Sequence, residues 1–125
     1  EGKLWYAGAH CPIFLLRNCE SEFPSLLELP GDRRLVGNPL FRGHFTEHCL
    51  EVSAGDMIYL FTDGLVDQLE QHERRKFSRS LAREMFVNLC ALPTAVQEEQ
   101  IINRIEEWKG SDDQTDDITV LGIRV

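Results

Sequence analysis

Five apolar residues in succession, Met57 to Phe61, run directly into Thr62-Asp63-Gly64, and the chain's last stretch shows the same contrast in reverse, with Asp116-Asp117 ahead of Ile118 to Val125. Unbroken apolar runs of this kind predict strands covered on both faces, since a strand with one wet face alternates. Lys3 to Ala9 and Pro12 to Arg17 are also strand-like, and the tight Gly8-Ala9-His10-Cys11 connection between them predicts a hairpin. Ser25 to Leu29 predicts a short strand, followed by a turn at Pro30-Gly31-Asp32 and an irregular stretch through Asn38-Pro39. His44 to Val52 alternates, with Leu50 and Val52 on one face and Glu47 and Glu51 on the other, which predicts a half-exposed strand. Ser53-Ala54-Gly55-Asp56 then turns the chain into the buried run.

Beyond Asp63 the period lengthens. Phe77, Leu81, Met85 and Leu89 recur every four residues and predict one helix face. A second helix begins at Thr94, with Gln97 in the position of a capping box, an apolar stripe of Ile101, Ile105 and Trp108, and Gly110 as the stop. The polar loop Ser111-Asp112-Asp113-Gln114 leads to the final strand. Several antiparallel strands, two helices and one returning strand predict an α+β layered fold.

A chain of 125 residues with 42% hydrophobic content is one domain or part of one, with ample material for a core. Its net charge of −8 argues against nucleic-acid binding. The basic cluster Arg74-Arg75-Lys76, continued by Arg79 and Arg83, reads as a solvated helix face. No apolar stretch approaches the ~20 residues of a membrane span, and a soluble, cytoplasmic protein is expected. The chain begins at Glu1 without Met, so residues upstream are expected to be missing. Cys11, Cys19, Cys49 and Cys90 show no Cys-x-x-Cys spacing and are expected to be reduced thiols.

The chemistry concentrates at the two acidic corners. Either one alone reads as an ordinary Asx turn. Together they are harder to dismiss, because a carboxylate at the mouth of a buried strand is costly to desolvate unless a positive charge faces it. Strand neighbours lie about 4.8 Å apart, so Asp63 and Asp116-Asp117 at adjacent strand ends can share one cation. Oxygen ligands without His or Cys favour Mg2+ or Mn2+ over zinc, and Asp112 to Asp117 lacks the Gly and distal Glu of a calcium loop. His44 and His48 flank Cys49, but nothing nearby completes a zinc set, and His10 is expected to be structural. There is no Gly-rich phosphate loop and no nucleophile elbow.

These residues resemble the SpoIIE-type serine/threonine phosphatases, the bacterial branch of the metal-dependent, protein phosphatase 2C-like family. Tyr6-Ala7-Gly8-Ala9-His10 resembles the family's Ala-Gly-His segment, and Leu35-Val36-Gly37 its mid-domain Gly segment. Gly55-Asp56, Leu60-Phe61-Thr62-Asp63-Gly64 and Asp116-Asp117-Ile118-Thr119 resemble its later motifs in order and spacing. Cys11 is a departure, standing where many relatives have Asn. The resemblance implies an α-β-β-α sandwich with a two-metal cluster of Mn2+ or Mg2+, in which Asp63 and Asp116 bind metal and Asp117 shapes the turn, with a weaker claim to ligation.

It also implies hydrolysis of phosphoserine or phosphothreonine in a protein substrate by metal-activated water, with no covalent phospho-enzyme. A phosphorylated anti-sigma-factor antagonist would be the substrate type, and a sensory or receiver domain, or a membrane anchor, would lie upstream. The family's first metal motif precedes the region that residues 1–125 resemble, so these residues are expected to be the C-terminal portion of the catalytic domain and inactive alone. The alternatives are a non-catalytic phosphatase-fold module that binds a regulatory phosphoprotein or partner, and an acidic interaction domain whose Asp residues only make turns.

Overall fold

The structure is a computed structural model and describes residues 2–40 and 43–125. In chain order its elements are β1 (Gly2–Tyr6), β2 (Ile13–Arg17), β3 (Ser25–Leu29), β4 (His48–Val52), β5 (Met57–Phe61), α1 (Asp63–Asp67), α2 (Ser78–Leu89), α3 (Thr94–Lys109) and β6 (Val120–Arg124). β1 and β4 form a two-stranded antiparallel sheet, and a four-stranded antiparallel sheet runs in the order β3-β2-β5-β6. The fold is α+β, as the pattern predicted.

Alternation within β2 and β5 builds the layers. Ile13, Leu15 and Ile58 meet Tyr6 and Val52 from the small sheet in one buried core. The intervening residues Phe14, Leu16, Met57, Tyr59 and Phe61 project to the other face and join Phe77, Phe86, Ile101 and Ile105 beneath the helices. Both faces of the two central strands are therefore dry, which is why their sequences are apolar without interruption. Phe86 is the hub of the helical core: its ring stacks on Tyr59 at 4.2 Å and meets Phe14 edge-on at 6.1 Å.

The hairpin expected between Lys3–Ala9 and Pro12–Arg17 does not form. β1 pairs with β4, whereas β2 pairs with β3 and β5. β1 is covered on one side only, and β2 on both, so the two strands belong to different layers. The turn-like residues between them carry the chain from one sheet to the other. That crossover is pinned by Asp32, whose N–H donates to the Gly8 carbonyl at 2.7 Å and whose carbonyl accepts from His10 N–H at 2.8 Å. The Thr46 backbone N–H donates to the Asp32 carboxylate at 2.7 Å and holds its pKa below the usual carboxylate value. The Tyr6 hydroxyl donates to the Cys11 carbonyl, and burial pushes its pKa up to about 12.

The remaining departures have similar causes. The final strand was expected to be buried on nearly both faces, yet Leu121, Ile123 and Val125 are exposed. β6 lies at the sheet edge, and Leu121 and Ile123 pair with Leu60 and Ile58 on the side facing the two-stranded sheet, whose core does not include them. The strand predicted from His44 begins only at His48, although Leu50 and Val52 do share the more buried face. In α2 the buried positions are Ala82, Met85 and Phe86, while Leu81 and Leu89 are only partly covered. A strict four-residue repeat drifts off a helix face that turns every 3.6 residues.

α3 starts at Thr94 as expected, but the capping box is absent. Buried Gln97 instead accepts from the Tyr59 hydroxyl at 2.6 Å and donates to the Leu92 carbonyl at 2.7 Å, tying helix to sheet. Gly110 ends the helix with a positive φ of 59°. Nor are Arg79 and Arg83 merely solvated, since both contact Glu28 on β3. All four cysteines are free thiols.

Because Phe86 bridges both central strands, Phe86→Ala is expected to destabilise the domain by about 3–5 kcal/mol. Urea denaturation followed by circular dichroism measures this, with a much smaller loss for the exposed Ile102→Ala.

Candidate metal centre

β5 and β6 pair from Met57↔Arg124 through Phe61↔Val120, so the acidic corners at the end of one and the start of the other emerge side by side. Thr62 locks them together. Its N–H donates to the Thr119 carbonyl at 3.0 Å, while its hydroxyl accepts from Thr119 N–H at 2.9 Å and donates to the Asp117 carbonyl at 2.8 Å. Gly64, buried at the start of α1, lies so near the Asp117 carbonyl that any Cβ there would collide with it. Asp63 occupies the first turn of the same helix, where a carboxylate meets the free backbone N–H groups favourably.

The facing loop is braced from below. Gln68, almost wholly buried, accepts from Thr115 N–H and donates to the Asp113 carbonyl, each at 3.3 Å. Asp116 accepts the Asp117 N–H through one carboxylate oxygen at 2.7 Å, and its carbonyl accepts from Gln114 at 2.8 Å. Thr62, Gly64 and Gln68 therefore position the site, although the sequence reading assigned them no such role. No local pattern in the sequence marks Gln68, whose burial only the fold reveals.

Asp63, Asp116 and Asp117 are all exposed, so the desolvation cost expected for them does not arise. They sit at the rim of the sheet, beyond the last covered residue of β5. Among the described residues, none of the three ion-pairs with Lys or Arg, whereas Asp67, Glu28, Glu70 and Asp112 all do. Adjacent, uncompensated hard-oxygen donors suit a divalent cation in kind. In number they fall short: among the described residues, no group of three or more His, Cys, Asp or Glu could hold a metal ion. The Gly55-Asp56 pair serves the turn before β5, with Gly55 at a φ of 90° and the Asp56 carboxylate accepting from Ser53 N–H at 3.0 Å.

A cleft of about 210 Å3 opens beside Asp63, lined also by His10, Cys11, Thr62 and Arg79. The Cys11 thiol points to the Phe61 carbonyl at 3.5 Å. His10, whose backbone takes the left-handed conformation at a φ of 56°, is thus at the candidate site as well as at the sheet crossover. His48 instead lies against the Tyr6 ring at 6.2 Å, and Cys49 is exposed.

The family model described as Stage II sporulation protein E (SpoIIE) matches residues 1–125. Among solved structures, the chain superimposes on the SiaA-PP2C domain of Pseudomonas aeruginosa with a TM-score of 0.84 at 27% identity, covering 98% of this chain and 46% of that one. The phosphatase domain of the cell fate determinant SpoIIE from Bacillus subtilis, described as Mn presoaked, gives a TM-score of 0.59 at 17% identity, covering 98% and 50%. At that lower identity the likeness concerns the fold alone. The chain thus spans about half the length of these structures. No curated protein matches it.

Gly64→Ala is expected to push α1 away from the Asp117 carbonyl and to cost about 1–3 kcal/mol, as overpacking does. A lowered melting temperature, together with faster amide exchange at Thr62 and Thr119, would register the opened junction.

Proposed function

This chain belongs to the SpoIIE family of PP2C-type phosphatase domains, and we propose that it forms the C-terminal portion of a metal-dependent protein phosphatase acting on phosphoserine or phosphothreonine. One observation carries this reading: the Thr62 hydroxyl joins the ends of β5 and β6, so that Asp63 and Asp116 flank a single junction with no ion-pair partner among the described residues. Asp63 and Asp116 would hold Mn2+ or Mg2+. Asp117 contributes its carbonyl to the Thr62 hydroxyl and its N–H to Asp116, which makes it a shaper of the turn with a weaker claim to ligation.

The bound metal would supply an acidified water as nucleophile and positive charge against the phosphoryl oxygens. The protein's own part is to fix where that happens. Thr62 and Gly64 set the spacing of the two corners, and Gln68 holds the loop that presents Asp116. The Asp116 oxygen engaged by the Asp117 N–H has its direction fixed, leaving the other oxygen available to a cation.

Because no group of three or more donors forms among the described residues, the site would be half of a metal centre, completed by a further carboxylate outside residues 1–125. Coverage of 46% of the SiaA domain supports that reading. A phosphorylated regulator of the anti-sigma-factor-antagonist type would be the substrate, in the cytoplasm, under an upstream sensory or receiver domain.

In the full-length protein, Asp63→Asn or Asp116→Asn should each lower Mn2+-dependent hydrolysis of a phosphoprotein by about 100-fold or more. Thr62→Val should lower it less, with a loss of stability. Residues 1–125 alone should leave p-nitrophenyl phosphate unhydrolysed and bind Mn2+ weakly by calorimetry. Full turnover by either aspartate variant would remove that carboxylate from the mechanism, and full turnover by the isolated segment would overturn the reading that the centre is completed from outside it.

A further inference from the structure

Arg79 stands out among the basic residues because it lines the same cleft as Asp63. It sits in the first turn of α2 and reaches Glu28 on β3, the outermost strand on that side of the four-stranded sheet. Its Nη1 lies 3.2 Å from Glu28 Oε1, and Arg83 contacts the other oxygen of the same carboxylate. Two guanidinium groups thus share one carboxylate, so Glu28 offsets the Arg79 charge only in part. Arg79 is also half-exposed, with side-chain accessibility of 52%, so most of its five N–H donors remain free for a ligand.

In a chain with a net charge of −8, a partly offset cation beside uncompensated carboxylates selects for a ligand that carries negative charge and tolerates a metal on its far side. A phosphoryl group fits, because its oxygens can be shared between a divalent cation and a guanidinium fork. Scale points the same way. At about 210 Å3 the cleft is smaller than the ~300–1,000 Å3 typical of drug-sized ligand sites, so it suits a phosphorylated side chain better than a nucleotide.

We propose that Arg79 is the phosphoryl-binding residue of this site, gripping the substrate's phosphate from the α2 side while Glu28 holds its guanidinium at the cleft wall. This rests on the phosphatase reading above for the identity of the ligand, but not for the existence of an anion site.

The test uses the full-length protein with metal removed by chelator, and follows binding of inorganic phosphate and of a phosphoserine peptide by 31P NMR. Arg79→Gln should weaken both by about 10-fold or more, the scale of a lost charge-assisted hydrogen bond. Arg83→Gln disturbs the same Glu28 contact without lining the cleft, and should change affinity by less than about twofold, as exposed ion pairs do. With Mn2+ restored, Arg79→Gln should raise KM for p-nitrophenyl phosphate. Phosphate affinity unchanged in Arg79→Gln, or an equal loss in Arg83→Gln, would overturn the assignment.

Should Arg79→Gln fail to fold, Arg79→Lys carries the test, since it keeps the charge and loses the fork. Its affinity should fall, and an unchanged value would overturn the proposal. The two readings fail separately. Lost hydrolysis in Asp63→Asn with intact phosphate binding in Arg79→Gln removes only Arg79. Weakened binding in Arg79→Gln with full turnover in Asp63→Asn removes the metal reading and leaves an anion site.

Discussion

β5 is buried on both faces and hydrogen-bonded on both edges, and the positions of the surrounding elements follow from that double confinement. One face meets the two-stranded sheet through Ile58, and the other meets the helices through Met57, Tyr59 and Phe61. Its neighbours β2 and β6 are held in register by backbone bonds that admit no slip, because a shift of one residue would exchange the two faces. A strand so constrained delivers its last residue to a fixed point. Thr62 occupies that point, and its hydroxyl converts strand register into the placement of two acidic corners.

Several acidic side chains away from this junction are matched locally: Glu70 and Glu73 by Arg75, Asp67 by Lys76, and Glu28 by Arg79 and Arg83. At the junction Asp63, Asp116 and Asp117 face solvent with no such partner among the described residues. Exposure makes this arrangement affordable for the fold, since water solvates each carboxylate. It also leaves their lone pairs available. The Arg79 guanidinium, only partly engaged by Glu28, completes a cleft with acid at one wall and base at another.

The strands and helices were legible where a residue's role depends on its immediate neighbours. Unbroken apolar runs announced β2 and β5, the Ile101–Ile105 spacing announced α3, and Gly110 its end. α1 passed unnoticed because five residues are too few to display a helical period. The hairpin reading failed because strand propensity is local and sheet membership is not. Tyr6 and Ile13 were each read correctly as strand residues, yet they face each other across a layer boundary instead of lying along one ribbon. Gln97 matched a capping signature, but a buried tyrosine hydroxyl and unpaired carbonyls competed for its amide and won.

By itself, the sequence determined the α+β composition of the chain, the family to which it belongs, and the aspartates worth suspecting, because each is written in residue type and short-range order. Only the tertiary structure decided which strands pair, that β6 is an exposed edge, that Thr62 clasps the two corners, and that Arg79 shares their cleft with Asp63. These are contacts between residues tens of positions apart. They exist because burying both faces of β5 leaves its neighbours few ways to pack, and no local pattern records that choice.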